Sequence, residues 1–207
     1  LSQALGLAHK RIQFTPDLMP SDITGSHIFN MAEQEFQFQP GPIFTQFLLA
    51  DELNRSPAKT HSALLEAMQE KQVTMDNRRY VLEPPFIVMA TQNPIESEGT
   101  YNLPEAALDR FLVKVQIDYP TDPEEQDILR GYLSGRNLDR AVDTDVEQVL
   151  SEEQLKGLQE LAEHVHVSDE IIAYVTSLVR ATRGNTYLFL GASPRASIAL
   201  LKIARAS

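Results

Sequence analysis

Two nearly continuous apolar runs, Phe44 to Ala50 (FTQFLLA) and Pro85 to Ala90 (PFIVMA), constrain this chain more than any other feature. Such runs predict strands covered on both faces, which belong in parallel sheets with helices packed above and below. The segment between them carries helix signals: Ser56 can cap, Pro57 suits the first helical position, and Leu64, Leu65 and Met68 make a buried stripe. Strand, helix and strand in that order form a crossover unit, so the predicted fold class is α/β with a largely parallel sheet flanked by helices. Leu112 to Ile117 (LVKVQI) is expected as a third strand. Arg11 to Phe14 alternates like a short one, and the preceding LSQALGLAHK reads as the closing turns of a helix whose beginning lies upstream.

Two stretches interrupt the alternation. Residues 24–43, with Phe36 and Phe38 alternating against Gln, and residues 72–82, with Asp76-Asn77 between β-prone runs, are expected to be hairpin insertions. After Tyr119 the strand signals stop. Asp122-Pro123-Glu124-Glu125, Ser151-Glu152-Glu153-Gln154, Ser168 and Ser193-Pro194 mark four helix starts. The expected division is an α/β core over 1–120 and a helical subdomain over 121–207, incomplete at opposite ends of the chain. The acidic stretch Ala141 to Glu170 reads as a solvated face.

Composition excludes several function classes. There is no cysteine among the 207 residues, hence no disulfide framework, thiolate nucleophile or cysteine-ligated metal, and a reducing, cytoplasmic setting is expected. No apolar run approaches the roughly 20 residues of a membrane span. A formal net charge of -11 argues against a surface that coats nucleic acid or anionic lipid.

The residues that can carry chemistry cluster at strand ends. FLLADELNR (Phe47 to Arg55) ends an apolar strand in adjacent carboxylates, Asp51 and Glu52. In nucleotide hydrolases one such acid holds Mg²⁺ and the next polarises the attacking water; an apolar strand leaving to solvent through Asp-Glu is the plain alternative. PFIVMA runs into Thr91-Gln92-Asn93, which puts an amide at the carboxyl edge where open α/β sheets bind ligands, although Asn93-Pro94 also starts turns. Arg110 is expected on a short helix over Leu103 to Phe111 and suits a guanidinium reaching a neighbour's phosphates, or an ordinary pair with Asp109 or another surface acid. Arg195 lies in the first turn of a helix, where the macrodipole disfavours a cation; an anionic ligand or a nearby acid would offset that. His164 and His166 have no third ligand at metal-binding spacing and are expected at the surface.

In this order the segments RIQFTPDLMPSDITG, LLADELNRSPAKTHSALLEAMQE, ATQNPIESEGTYNLPEAALDRF and GASPRAS closely resemble the MoxR family of AAA+ ATPases over essentially the whole chain. The resemblance implies an AAA+ α/β core followed by an all-α lid, with ATP and Mg²⁺ as cofactors. Asp51 and Glu52 would be the Walker B acids, Asp51 holding the metal, with Asn93 as sensor 1, Arg110 as the arginine finger and Arg195 as sensor 2. The insertions would line the pore of a hexameric ring. It further implies a homo-oligomeric, chaperone-like motor that matures protein clients, often with a partner bearing a von Willebrand factor A domain.

One departure bears on all of this. No G-x-x-x-x-G-K-[ST] occurs among these residues, so the backbone amides and lysine that cradle phosphates are missing from them. In the family that loop precedes the helix that Leu1 is expected to finish, within about two helical turns. A scaffold without hydrolysis is the competing expectation, and a DNA-remodelling motor, with Arg78 and Arg79 on a hairpin against phosphates, is a third.

Overall fold

The computed structural model describes residues 1–93, 101–135 and 146–207. Its centre is a three-stranded parallel sheet in the order β1 (His9–Gln13), β4 (Phe47–Asp51), β7 (Ile87–Ala90). Phe47 stands opposite His9 on one side and Ile87 on the other. The apolar run of β4 explains its central place, because Phe47, Leu48 and Ala50 are all buried and only a strand with neighbours on both sides profits from burying both faces. Coverage on both faces holds for β4 but not for β7, whose Met89 is 42% exposed: among the described residues β7 has one neighbouring strand. Both strands are shorter than the apolar runs that announce them.

Leu112 to Ile117 is not a strand. No described strand pairs with it, and Val113, Val115 and Ile117 are exposed, Ile117 almost entirely. Apolar alternation supplies a face but not the neighbour whose carbonyls and amides a ladder requires. The first residues form hydrogen-bonded turns, Leu5 N–H to Leu1 O at 3.0 Å and Leu7 N–H to Ser2 O at 2.9 Å, which lead into β1.

Helix α2 (Ala58–Glu70) crosses from β4 toward β7. Leu64, Leu65 and Ala67 are buried, with Met68 packed against the core, each buried leucine contributing about 1.5–3 kcal/mol. The cap differs from expectation. Pro57 precedes the first helical residue, while buried Ser56 turns its hydroxyl to Leu53 O at 3.5 Å, so it serves the preceding turn.

Short helix α1 (Pro20–Thr24) leads into an antiparallel hairpin of β2 (Gly25–Asn30) and β3 (Glu35–Pro40), and α2 leads into a second, β5 (Gln72–Met75) and β6 (Arg78–Val81). Asp76 and Asn77 both have positive φ (48° and 60°), the backbone that a two-residue hairpin loop needs. Glycine is required at the base of the first hairpin: a Cβ on Gly25 (φ +97°) would meet Gln39 O at 2.3 Å, and one on Gly41 would meet Ile23 O at 2.2 Å. The hairpins touch each other. The Phe38 and Tyr80 rings lie 4.0 Å apart between centroids, and His27 Nδ1 is 2.9 Å from Asp76 Oδ2.

Helix α3 (Glu105–Leu108) follows, and then α4 (Asp122–Leu133), α5 (Glu152–His164), α6 (Asp169–Arg183) and α7 (Pro194–Ala206). Thr121, one residue before the expected Asp122, precedes α4, and its N–H donates to the Glu124 carboxylate at 2.7 Å. Ser151 and Gln154 exchange the two bonds expected of a capping box. The buried residues of these four helices are Val175 and Val179, both on α6. Pro94 and residues 141–145 of the acidic stretch lie outside the described residues. Among the described residues no helix is long and apolar enough to cross a membrane.

Candidate functional site

Because β4 and β7 are parallel neighbours with Ala50 opposite Ala90, the residues that follow them emerge at the same edge of the sheet. Asp51 ends β4. Glu52 then adopts a left-handed backbone (φ 53°, ψ 45°) before a single 3₁₀ turn, Leu53–Arg55. Asp51 accepts the Thr91 hydroxyl proton at Oδ1 (2.5 Å), and Arg11 of β1 pairs with Oδ2. The Thr91 hydrogen bond first, and the Arg11 guanidinium next, hold the Asp51 carboxyl below the usual carboxylate range against a small opposing effect of burial. Glu52 is also lowered, chiefly by Arg55, whose Nη1 lies 2.9 Å from Oε2. Gln13 Nε2 reaches the same oxygen at 3.5 Å. Both acids are therefore ionised at neutral pH.

The β7 tip is tied to the β4 tip. Thr91 Oγ1 accepts the Glu52 N–H at 2.9 Å, and Thr91 O accepts the Leu53 N–H at 2.9 Å. Asn54 Nδ2 donates to Asn93 O at 3.1 Å while its Oδ1 accepts the Asn93 N–H at 3.4 Å. Asp51, Glu52 and Asn93 thus lie at one edge, whose two tips are joined by these hydrogen bonds. The Asp51 carboxylate there is an oxygen donor of the kind that Mg²⁺ prefers, and an ionised Asp51 fits that cation.

Arg195 and Arg110, the latter expected to serve a neighbour's site, both lie away from this edge. Arg110 follows α3 and is exposed. It lines a cavity of about 470 Å³ against α2, with His61, Ser62, Glu66 and Glu70 in the opposite wall. It does not pair with Asp109. Arg195, in the first turn of α7, lies with Nη1 3.8 Å from Asp109 Oδ2, and Ser193 Oγ donates to Asp109 Oδ1 at 2.6 Å. An acid across the chain therefore offsets the cation in the first turn of α7. Neither arginine contacts Asp51 or Glu52. His164 and His166 are exposed, and no cluster of potential metal ligands of three or more occurs among the described histidines and acids.

Sequence reasoning missed Thr91, Asn54, Arg11, Arg55 and His61. Buried His61 on α2 holds the 3₁₀ turn through Nε2, which lies 2.6 Å from Leu53 O. Arg55 stands three residues from Glu52 and could have been found from that spacing. Thr91, a hydroxyl at the end of an apolar run, carried a weaker signal. Arg11 carried none, since its partner is forty residues away.

Comparison with known proteins accords with this arrangement. A profile of the ATPase family associated with various cellular activities (AAA) matches residues 1–113. A Bacillus subtilis protein, the uncharacterized protein YeaC, is 48% identical over the whole chain and 63% of its own length. Chaperone MoxR1 of Mycobacterium tuberculosis is 44% identical over 99% of the chain and 55% of its own length. A crystal structure from Cytophaga hutchinsonii, an ATPase by designation only, superimposes with a TM-score of 0.84 at 42% identity, covering 99% of this chain and 63% of that one. The chain thus spans between half and two thirds of the length of these relatives. With its parallel sheet, flanking helices and these matches, the chain belongs to the MoxR family of AAA+ ATPases.

Proposed function

We propose that the intact protein is a Mg²⁺-dependent ATP hydrolase that works as a homo-oligomeric, hexameric ring and remodels or matures protein clients in the cytoplasm. The observation that supports this best is the common carboxyl edge of β4 and β7, where two ionised acids and an amide face solvent together. Asp51 would hold Mg²⁺, which supplies charge neutralisation on the phosphate oxygens when bound. Glu52, ionised and next to that position, accepts a proton from the attacking water. Its pair with Arg55 keeps the carboxylate charged until a water takes the place of the guanidinium. Asn93 orients the water. Arg195, released from Asp109, reads the γ-phosphate, and Arg110, exposed at the end of α3, completes the site of a neighbouring subunit.

The same reading divides the chain into a core over 1–120 and a lid over 121–207, with the hairpins facing the ring's pore and a von Willebrand factor A domain protein as partner. In the full-length protein, Glu52→Gln should bind ATP with unchanged affinity and hydrolyse it about 10²–10⁴-fold more slowly, measured by phosphate release and fluorescent-nucleotide titration. Undiminished hydrolysis would remove Glu52 from the mechanism; a wild-type protein that neither binds nor hydrolyses ATP would leave the scaffold reading.

A further inference from the structure

We propose that Thr91 is the positioning residue that fixes the geometry of the acid pair, an inference that rests on the ATPase reading above. A threonine hydroxyl has one proton and two lone pairs. The proton goes to Asp51 Oδ1 at 2.5 Å, so the oxygen is left to accept, and it accepts the Glu52 N–H at 2.9 Å. The backbone of the same residue donates to Ala50 O and accepts from Leu53 N–H, both at 2.9 Å. Four hydrogen bonds from one residue therefore enclose Asp51 and Glu52, reaching the β4 chain on both sides of them.

Glu52 needs such an enclosure. Its φ of 53° lies in the left-handed region, which residues with a side chain seldom adopt, and this backbone joins the end of β4 to the turn that carries Arg55. The turn itself is closed by the Arg55 N–H on Glu52 O at 2.9 Å, and Thr91 Oγ1 accepts the N–H of Glu52, the residue that enters it. The brace is answered from the opposite direction by Asn54, whose side-chain amide pairs with both backbone groups of Asn93. The β4 tip is thus held by a β7 side chain and the β7 tip by a side chain from the turn after β4. The acids and the backbone that carries Asn93 are then held together, which is what a reaction with little covalent assistance requires.

The test uses the full-length protein with Thr91→Val, a near-isostere without the hydroxyl, and Thr91→Ser, which restores it. Three quantities are read: kcat and KM for ATP, hydrogen exchange of the Glu52 amide without nucleotide, and the melting temperature. Thr91→Val should lower kcat on the order of 10–100-fold with KM changed less than about threefold, and should speed exchange at Glu52. Thr91→Ser should return kcat and exchange to near wild type. Thr91→Ala carries the same expectation and replaces the valine variant should that one not fold. Wild-type turnover and exchange in Thr91→Val overturn the inference, as do valine and serine variants that are equally impaired, since the hydroxyl would then not be the operative group. A wild-type full-length protein that neither binds nor hydrolyses ATP would overturn the ATPase assignment instead, and exchange at Glu52 would still report whether the brace exists.

Discussion

Two neighbouring carboxylates are held in the charged form here by different partners, Asp51 by the Thr91 hydroxyl and then Arg11, Glu52 chiefly by Arg55. Arg11 comes to Asp51 across the sheet and Arg55 comes to Glu52 along the turn. The acid pair could be read from FLLADELNR alone, because an apolar run that ends in Asp-Glu is visible in one dimension. Arg11 could not, since its approach depends on a parallel register that sets Arg11 beside Leu49 and Gln13 beside Asp51. His61 was hidden for a related reason: a histidine within a helical stripe reads as core or surface, and only the fold brings it to the Leu53 carbonyl. A carbonyl oxygen can only accept, so Nε2 carries the proton, and burial pushes the His61 pKa down. The unfolded imidazole takes up a proton near pH 6.5, the folded one only at lower pH. In that window the unfolded chain binds more protons, so the stability contributed by neutral His61 is present above about pH 6.5 and is lost as the pH falls. Glu66, Glu70 and Arg110 line the cavity beside it. Denaturant melts at about pH 7.5 and 5.5 should show this loss, and His61→Gln should flatten it.

Among the elements, those announced by local chemistry were legible: the Ser151 capping box, the Asp76-Asn77 turn and the α2 stripe. The segment 112–117 was not, because strand identity depends on a neighbour as much as on a pattern. The Asp109 contact with α7 was equally invisible, being a bond over 84 residues. It ties the loop after α3 to the cap of α7, where Ser193 Oγ accepts the Ala196 N–H at 3.2 Å. Asp109→Ala should therefore lower stability by about 1 kcal/mol and speed proteolysis or amide exchange near residues 191–197, with Ser193 still able to cap. At the first hairpin, Gly25→Ala should cost about 1–3 kcal/mol, read from thermal melting, because the residue has positive φ and a methyl would strike the Gln39 carbonyl.

For the whole molecule, the accessible surface of 15398 Å² exceeds the roughly 9,700 Å² of a compact monomer of this mass. Large apolar side chains are part of that surface: Val115, Ile117, Tyr119, Tyr187 and Phe189 are all at least three quarters exposed. Surfaces of that kind associate. The 207-residue chain by itself should self-associate with rising concentration in sedimentation experiments, and a Val115→Lys, Ile117→Lys variant should do so less. The two insertions have a mechanical consequence at this scale. With the Phe38 ring against Tyr80 and His27 against Asp76, they behave as one jaw instead of two independent fingers, and a pull on either tip is borne by both roots, one beside α1 and the other at the end of α2.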